Sequence, residues 1–295
     1  MKSRLLPTIG AVAFSLSLLW SAPGIPALTF WAFTPIDVPG ADRTYARDMN
    51  SGGQIVGHFE KEGPPYVYRG YLLSNGVFTP LEIGDYSDAR GINSGGDIVG
   101  IFYTSIDDYV PHGFLLSSGI VTQIDFPGAD FSFPQAINAT GDIVGVYVQG
   151  DTDHAFLLRD GVFTTVDYPG ALYTNARGIN AKGDIVGLYG VVDPDGRQRS
   201  HGFVLGADGT FTTINGPDAL NGNVNGNNSR GQVVGEYSLP SAPGVRFGFL
   251  LGKDEYTLID YPGATVTRPW KITPEGRYIV GFYDDLHGFI ASRKP

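Results

Sequence analysis

The sequence predicts an all-β protein, a six-bladed β-propeller of four-stranded antiparallel blades whose ring is closed by the N-terminal strand completing the last blade. Three observations lead to this prediction. A unit of about 45 residues recurs six times, each unit contains four short strand-like segments, and the two ends of the chain hold complementary parts of one unit.

The repeat is defined by a glycine that ends an (I/V)VG segment. Its six copies are Gly57, Gly100, Gly145, Gly187, Gly235 and Gly281, at intervals of 42 to 48 residues. A period this regular is typical of one small sheet built repeatedly, with each copy burying its apolar surface against its neighbours. Most of the recurring residues are therefore expected to serve the fold.

The second repeat shows the four strands of a unit. Its apolar residues alternate or run in short blocks between Gly, Asn, Asp and Pro, which indicates strands rather than helices. The predicted strands are Ala89–Asn93, Asp97–Tyr103, His112–Ser117 and Ile120–Phe126. The NSGG and SSG segments between them predict tight turns, because Asn bonds its own backbone and Gly accepts a positive φ.

The two ends of the chain predict how the ring closes. The first repeat segment, Phe33–Ala41, resembles a fourth strand without the preceding three, and the last repeat has three strands without a fourth. Together they complete one blade. Closure of this kind removes the exposed edges that an open arrangement of sheets would leave.

Residues 1–27 have the layout of a secretory signal peptide. Lys2 and Arg4 precede an apolar run, Ile9–Trp20, which is shorter than the roughly 20 residues of a membrane span, and small residues follow it. The sequence thus predicts a secreted protein, extracellular or periplasmic, whose propeller domain is residues 28–295. We expect no membrane span in the mature chain. Because the chain has no cysteine, its stability must come from a buried core rather than disulfides.

The charge of the protein excludes some partners. The formal net charge is −10, and removal of Lys2 and Arg4 leaves 30 acidic against 18 basic residues, or −12. An acidic surface this poor in lysine and arginine is unsuited to nucleic acid or to anionic membranes. We expect a monomer whose partner is a glycan or an extracellular protein.

The motifs of the repeat also resemble a known family. The H(G/A)F segments at His112, His154, His201 and His287, with the GIN..GDIVG pattern, are similar to the HAF family of extracellular repeat proteins. The resemblance covers nearly the whole mature chain and implies a secreted bacterial repeat protein, without a general activity. The first and fifth units depart from it, with Arg69–Tyr71 and Phe247–Phe249 in place of His-Gly-Phe.

The repeated polar residues of the outer strands are expected to be structural. The H(G/A)F histidines lie in different blades, so they cannot converge on one metal ion, and no metal site is predicted. The aspartates of the ID.PGA segments, Asp37, Asp125, Asp167 and Asp260, precede a Pro-Gly turn that such a residue caps. No phosphate-binding or dinucleotide-binding motif is present, and no cofactor is expected.

A ring of residues on the innermost strands is different in kind. Arg47, Arg90 and Arg177 occupy one position of the repeat, which Gln135, Asn225 and Trp270 occupy in the other three units. Innermost strands surround the central channel, so these side chains can converge there. Arginines at a channel mouth can hold a carboxylate or sulfate through paired hydrogen bonds. The alternative is that each arginine bridges adjacent blades.

The longer loops lie on one predicted face of the propeller, together with aromatic residues that vary between repeats. The candidate ligand-binding residues are Arg47, Arg90, Arg177, Tyr45, Asp88, Phe133 and Trp270, and no catalytic residue is assigned. The favoured function is a non-catalytic binding or interaction module that uses this face. The alternatives are a polysaccharide lyase or glycoside hydrolase acting at the channel mouth, and a structural surface or matrix protein.

Overall fold

A computed structural model describes residues 31–105, 110–253 and 255–293 as six four-stranded antiparallel sheets. The sheets are arranged as the blades of a propeller, which confirms the predicted fold class. The predicted signal peptide, residues 1–27, lies outside the described residues. No helix among the described residues is long and apolar enough to cross a membrane.

The first three blades follow one another along the chain, and each runs from the channel outward. Blade 1 consists of β2 (Arg43–Met49), β3 (Ile55–Lys61), β4 (Val67–Ser74) and β5 (Val77–Pro80). Blade 2 consists of β6 (Tyr86–Ile92), β7 (Ile98–Tyr103), β8 (His112–Ser117) and β9 (Ile120–Gln123). Blade 3 consists of β10 (Phe131–Ile137), β11 (Ile143–Gln149), β12 (Thr152–Arg159) and β13 (Val162–Thr165).

Blades 4 and 5 continue this order along the chain, and blade 6 combines the two ends of the described chain. Blade 4 consists of β14 (Tyr173–Ile179), β15 (Ile185–Val192), β16 (Gln198–Leu205) and β17 (Phe211–Ile214). Blade 5 consists of β18 (Asn221–Asn227), β19 (Val233–Leu239), β20 (Ala242–Gly252) and β21 (Glu255–Ile259). Blade 6 consists of β22 (Thr267–Ile272), β23 (Tyr278–Tyr283), β24 (His287–Arg293) and β1 (Trp31–Ile36). Because β1 pairs with β24 over six residues, the predicted ring closure is confirmed.

Strand order assigns the connections to two faces. The links between blades, and those between the second and third strands of a blade, leave one face, which we call the upper face. The short turns after the first and third strands leave the lower face. Every innermost strand therefore begins at the upper face and ends at the lower face, which fixes the level of each of its residues in the channel.

The core lies between the blades. One aromatic residue of each third strand is almost fully buried: Tyr71, Phe114, Phe156, Phe203, Phe249 and Phe289. Phe114 of blade 2, for example, belongs to one apolar cluster with Val56 of blade 1. Burying such a side chain contributes about 1.5–3 kcal/mol, so these interblade clusters supply the stability that disulfides cannot.

An asparagine that ends the innermost strand joins adjacent blades at the lower face. Asn50 accepts hydrogen bonds from the backbone amides of Gly52 and Gln54, which forms the predicted Asx-type turn. Its Nδ2 also donates to the carbonyl oxygen of Asn93 in the next blade, at 3.1 Å. Equivalent bonds from Asn138, Asn180 and Asn228 reach the following blades. The Asn of the GIN segment is thus a structural residue.

Four strand boundaries of the second repeat differ from the prediction, two of them by one residue and two by three residues. The first strand begins at Tyr86 rather than Ala89, because the polar segment Tyr86–Asp88 continues the pairing with β7. The fourth strand ends at Gln123 rather than Phe126. Beyond it, Asp125 bonds His112 instead of extending the ladder.

Candidate functional site

Each of the six innermost strands contains a β-bulge at the same level of the channel. The bulged residue has no partner on the second strand of its blade. These six residues are Arg47, Arg90, Gln135, Arg177, Asn225 and Trp270. A bulge turns a side chain away from the position that a regular strand would give it. The ring singled out in the sequence is therefore the bulge ring.

The glycine that defines the repeat makes room for this bulge. A Cβ on Gly57 would overlap the carbonyl oxygen of Tyr45, two residues before the bulged Arg47. The same overlap would arise at Gly100, Gly145, Gly187, Gly235 and Gly281, each with the equivalent carbonyl of its innermost strand. The glycine is thus required by the close approach of two backbones, and it is the sequence signature of the bulge.

Arg47, Arg177 and Trp270 meet in the channel, although they come from blades 1, 4 and 6. The guanidinium carbon of Arg47 lies 4.6 Å from the centroid of the Trp270 ring, and that of Arg177 lies 5.2 Å from it. Both distances are within the range of a cation–π interaction. Trp270 itself is buried. The structure therefore brings together three of the seven candidate residues, two arginines and the indole ring that they share.

Arg177 is a poorly compensated charge. Its Nη1 donates to Asn225 Oδ1 at 2.6 Å, and no carboxylate oxygen of the described residues lies within 4.0 Å of its guanidinium. Desolvation, with repulsion from Arg47 and Arg268, lowers the pKa of Arg177 to about 10, although the charge of Glu236 opposes that shift. At neutral pH the group still carries its positive charge.

Asp88 forms a second centre, between blades 1 and 2. Its side chain is fully buried, with Oδ1 2.8 Å from His58 Nδ1 and Oδ2 2.8 Å from Arg90 Nε; Arg47 Nη2 is 3.9 Å from Oδ2. Burial alone would raise the pKa of the Asp88 carboxyl, but His58, Arg90 and Arg47 hold it well below its ordinary value. Asp88 is thus a permanent anion that bridges two blades.

The aromatic candidates lie around these charges. Tyr45 stacks on the buried His58 at 4.4 Å between ring centroids, and its hydroxyl donates to the carbonyl of Asp285 at 2.9 Å. Phe133 lies on the other side of Arg90, whose guanidinium carbon is 5.7 Å from the Phe133 ring centroid. Tyr45 and Phe133 are each partly exposed to the channel.

Glu236 forms a third centre, between blades 5 and 6. The side chain is buried, with Oε1 accepting a hydrogen bond from Asn223 Nδ2 at 3.1 Å and Oε2 lying 3.1 Å from Arg268 Nε. Arg268 also lies 3.4 Å from Asp285, a half-exposed carboxylate at the rim. The channel mouth therefore holds four arginines around two buried carboxylates, with a third carboxylate at its edge.

His58 and Glu236 are site residues that the sequence reasoning missed. Both occupy the position directly after the repeat glycine, where the other four units have Ile101, Val146, Leu188 and Phe282. The available signal in the sequence was a polar residue at a position of the repeat that is apolar in the other four units. Its meaning depends on which innermost strand each blade faces, and only the assembled ring provides that information.

A polar cleft on the upper face leads to this site. Its volume is about 450 Å³, and it is lined by Tyr173, Gln198, Arg199, Ser200, Asn221, Asn223 and Arg246. Asn223 joins the cleft to the channel, because the same side chain bonds Glu236. Tyr173 begins the strand that carries Arg177. The cleft thus offers an open, hydrogen-bonding surface that includes the first residue of the strand of Arg177 and the hydrogen-bond partner of Glu236.

The lower end of the channel has a different character. A cavity of about 210 Å³ is lined there by the Asn ring, by isoleucines of the innermost strands, and by Asp48 and Lys271. Lys271 Nζ lies 3.8 Å from Asp48 Oδ2. Burial raises the pKa of the Asp48 carboxyl, and the charge of Lys271 opposes the shift. Because the Asn side chains are occupied by turns and interblade bonds, this end is chiefly structural.

Three of the four repeated histidines pair with the repeated aspartate of their blade, whereas His201 contacts Asn215 and Asp193, and Asp260 accepts a hydrogen bond from Thr267. His112 Nδ1 lies 2.9 Å from Asp125 Oδ2, and the same carboxylate accepts the backbone N–H of Gly113. Equivalent pairs join His154 to Asp167 and His287 to Asp37. Each pair is confined to one blade. Within the described residues no group of three or more histidine, aspartate or glutamate side chains is arranged to hold a metal ion.

Comparisons with known proteins show the fold. No protein-family model matches the chain, and no curated protein matches it. A catalytically inactive variant of virginiamycin B lyase from Staphylococcus aureus is similar in structure, with a TM-score of 0.52 and 10% identity over 89% of this chain and 99% of that one. A gluconolactonase from Xanthomonas campestris has a TM-score of 0.52 and 10% identity over 86% and 88% of the two chains.

A protein of unknown function from Dyadobacter fermentans is also similar, with a TM-score of 0.53 and 12% identity over 92% of this chain and 100% of that one. At identities of 10–12%, these similarities show a shared propeller architecture and carry no information about the chemistry of the site. The function must therefore be argued from the side chains at the channel mouth.

Proposed function

We propose that the protein is a secreted, non-catalytic module that binds a glycan at the upper face of the propeller. The polar cleft between blades 4 and 5 is the observation that carries this proposal. Amides, hydroxyls and guanidinium groups line it beside the Tyr173 ring, and its residue Asn223 bonds Glu236 of the channel mouth. Hydroxyl-rich sugars are bound by many such hydrogen-bonding groups, with an aromatic face for the apolar side of the ring.

The proposed location has separate support. The basic start, short apolar run and small residues of positions 1–27 fit an exported protein. Membership of the HAF family is part of the same proposal and rests on the H(G/A)F and GIN..GDIVG motifs. Fractionation of cells that produce the full chain, followed by N-terminal sequencing of the exported form, tests both export and cleavage.

A thermal-shift screen of the exported protein against neutral and acidic oligosaccharides tests glycan binding. A ligand at 100 times its dissociation constant stabilises the folded state by about 2.7 kcal/mol, so the melting temperature should rise by several degrees. The Asn223→Ala variant should reduce the shift, because Asn223 lines both the cleft and the channel. A cooperative melt that no sugar alters would contradict the glycan proposal and direct attention to a protein partner.

One observation favours the enzymatic alternative, a polysaccharide lyase or glycoside hydrolase. The His58–Asp88 pair places an imidazole and a carboxylate beside Arg90, which is the composition of an acid–base site. However, Tyr45 and Tyr68 stack against the His58 ring at 4.4 and 4.6 Å, and the ring is buried. Incubation of the protein with any sugar that binds, followed by chromatography, distinguishes the alternatives: new products indicate an enzyme.

A further inference from the structure

The channel mouth holds more positive charge than hydrogen bonding to a neutral sugar requires. A charge that is withdrawn from water without an opposite charge nearby is costly, and removal of one partner from a buried pair costs about 3–5 kcal/mol in general. Arg90 avoids this cost through its hydrogen bond to Asp88, and Arg268 through an ion pair with Glu236 whose facing atoms, Nε and Oε2, are not hydrogen-bonded. Arg177 bonds only the neutral amide of Asn225, and the charge of Glu236 acts on it without an ion-pair contact.

Arg177 is nevertheless held in place. Asn225 accepts from Nη1, and its own Nδ2 donates to the carbonyl of Pro269 at 3.0 Å, so the amide is fixed between blades 4 and 6. Trp270 supports the guanidinium from the side. These contacts leave donors of the planar fork unused. A fixed guanidinium with free N–H groups is preorganised for paired hydrogen bonds to an oxyanion.

Arg47 supplies a second donor at the same place. It shares the Trp270 ring with Arg177, and its buried Nε has no hydrogen-bond partner in the described part of the chain. Its nearest carboxylate oxygen, Asp88 Oδ2, is 3.9 Å away and is already bonded by Arg90. Two arginines thus converge on one indole ring, and neither has a carboxylate oxygen of the described residues within hydrogen-bond distance.

We infer that Arg177 and Arg47 form the seat for an oxyanion group of the ligand, a carboxylate or a sulfate, with Trp270 as the wall of the seat. This inference rests on the proposed glycan binding and specifies its substrate class: an acidic sugar whose charged group enters the channel while the rest of the molecule lies in the polar cleft. The incoming anion supplies the missing counter-charge, which explains why an otherwise acidic protein keeps a positive channel mouth.

Titration calorimetry with three small probes tests the inference. The probes are the methyl glycoside of glucuronic acid with its carboxylate free, the 6-sulfate of methyl glucoside, and methyl glucoside itself, which share one ring and differ in the charged group. Both anionic probes should bind, the neutral probe should bind at least tenfold more weakly, and added salt should weaken the anionic probes. The preferred anion identifies which of the two groups the natural ligand carries.

Arg177→Gln is the decisive variant. Loss of charged hydrogen bonds worth about 1.5–3 kcal/mol should weaken the anionic probes by about 10–100-fold. Arg177→Lys keeps the charge without the fork and should retain part of the affinity. Arg230→Gln, at an exposed arginine of the lower face, removes the same charge elsewhere and should leave binding unchanged. Without ligand, Arg177→Gln should melt at or above the temperature of the unmodified protein, because an uncompensated charge has been removed.

Each other outcome is informative. Equal binding of all three probes, unaffected by Arg177→Gln, would refute the oxyanion seat and leave glycan binding standing. No binding of the anionic probes would overturn the inference, and a strong destabilisation by Arg177→Gln would then identify a blade bridge. Binding of the anionic probes that depends on Arg177, with no response to any oligosaccharide, would support the seat and refute the glycan.

Discussion

Asp88 shows how a single charged residue is maintained inside the ring. The carboxylate is removed from water, yet His58, Arg90 and Arg47 surround it and lower its pKa. The sequence placed Asp88 among the candidates as an acid near the channel arginines that could take or give a proton in the enzymatic alternative. It could not predict the contact with His58, which comes from another blade and a different strand. The pair depends on a distance across the blade interface that no local pattern encodes.

The depressed pKa of Asp88 predicts acid-sensitive stability. Below the ordinary value of 3.8, the unfolded chain binds a proton that the folded protein does not, so the free energy of unfolding falls as the pH is lowered. Asp88→Asn should cost about 3–5 kcal/mol near neutral pH, because His58 and Arg90 lose their partner. Its stability should then decline less steeply below about pH 4.

Urea unfolding at several pH values measures this difference. Asp151→Asn is a suitable control because Asp151 is an exposed carboxylate, and its variant should follow the unmodified protein at every pH. If Asp88→Asn keeps the full acid slope, then other carboxylates account for the pH dependence and the interpretation of Asp88 is wrong.

The bulged inner strand is the element that connects repeat and site. The sequence established that six equivalent strands exist and which residue types occupy their third-last positions, since both follow from the period. The bulge itself was not predicted, because it is defined by the register of the innermost strand against the second strand, which the sequence of one strand does not contain. The repeat glycine was recognised as an alignment point, and its cause became visible only with the carbonyl beside it.

Gly145→Ala tests the coupling between the glycine and the bulge. The new methyl group would overlap the carbonyl oxygen of Phe133 and lie 2.8 Å from the Phe156 ring, so the strands must separate. We expect a loss of about 1–3 kcal/mol or more in the free energy of unfolding. Gly244→Ala is the matched control, since nothing lies within 4 Å of its added methyl group, and it should change stability by less than about 0.5 kcal/mol.

Chemical denaturation of both variants makes the comparison. Equal stability of Gly145→Ala and the unmodified protein would mean that the backbone can shift at no cost, and the explanation of the repeat glycine would then fail.

The whole molecule is held as a ring by one noncovalent joint. Pairing of β1 with β24 joins residues more than 250 positions apart in the chain, for example Thr34 and Ile290. The sequence predicted this joint because the partial units at its two ends are complementary. The remaining five blades are built locally, so the sequence period was sufficient to predict them. The sequence could not predict that Arg47 of blade 1 and Arg177 of blade 4 meet at Trp270 of blade 6, because that contact depends on side-chain conformations across the channel.

A disulfide across the joint should stabilise the ring. Replacement of Thr34 and Ile290 by cysteine introduces the first thiols into a chain that has none, so correct pairing has no competitor. Closing a loop of this length restricts the unfolded chain and contributes up to about 5 kcal/mol. The melting temperature should rise by several degrees under oxidising conditions and return to its original value after reduction. A disulfide that forms without raising the melting temperature would show that unfolding begins elsewhere in the ring.

The bulge has a consequence for how such a protein can diversify. Since the bulged residue lies outside the hydrogen-bond ladder, its identity is not constrained by strand pairing, and arginine, glutamine, asparagine and tryptophan all occupy it in this one chain. Six such positions lie at one level of the channel, where the side chain can vary while the backbone framework stays the same. Exchanging these residues would change the chemistry of the channel wall while the strand pairing of each blade is kept, and the side-chain contacts of Arg90, Asn225 and Trp270 would change with it.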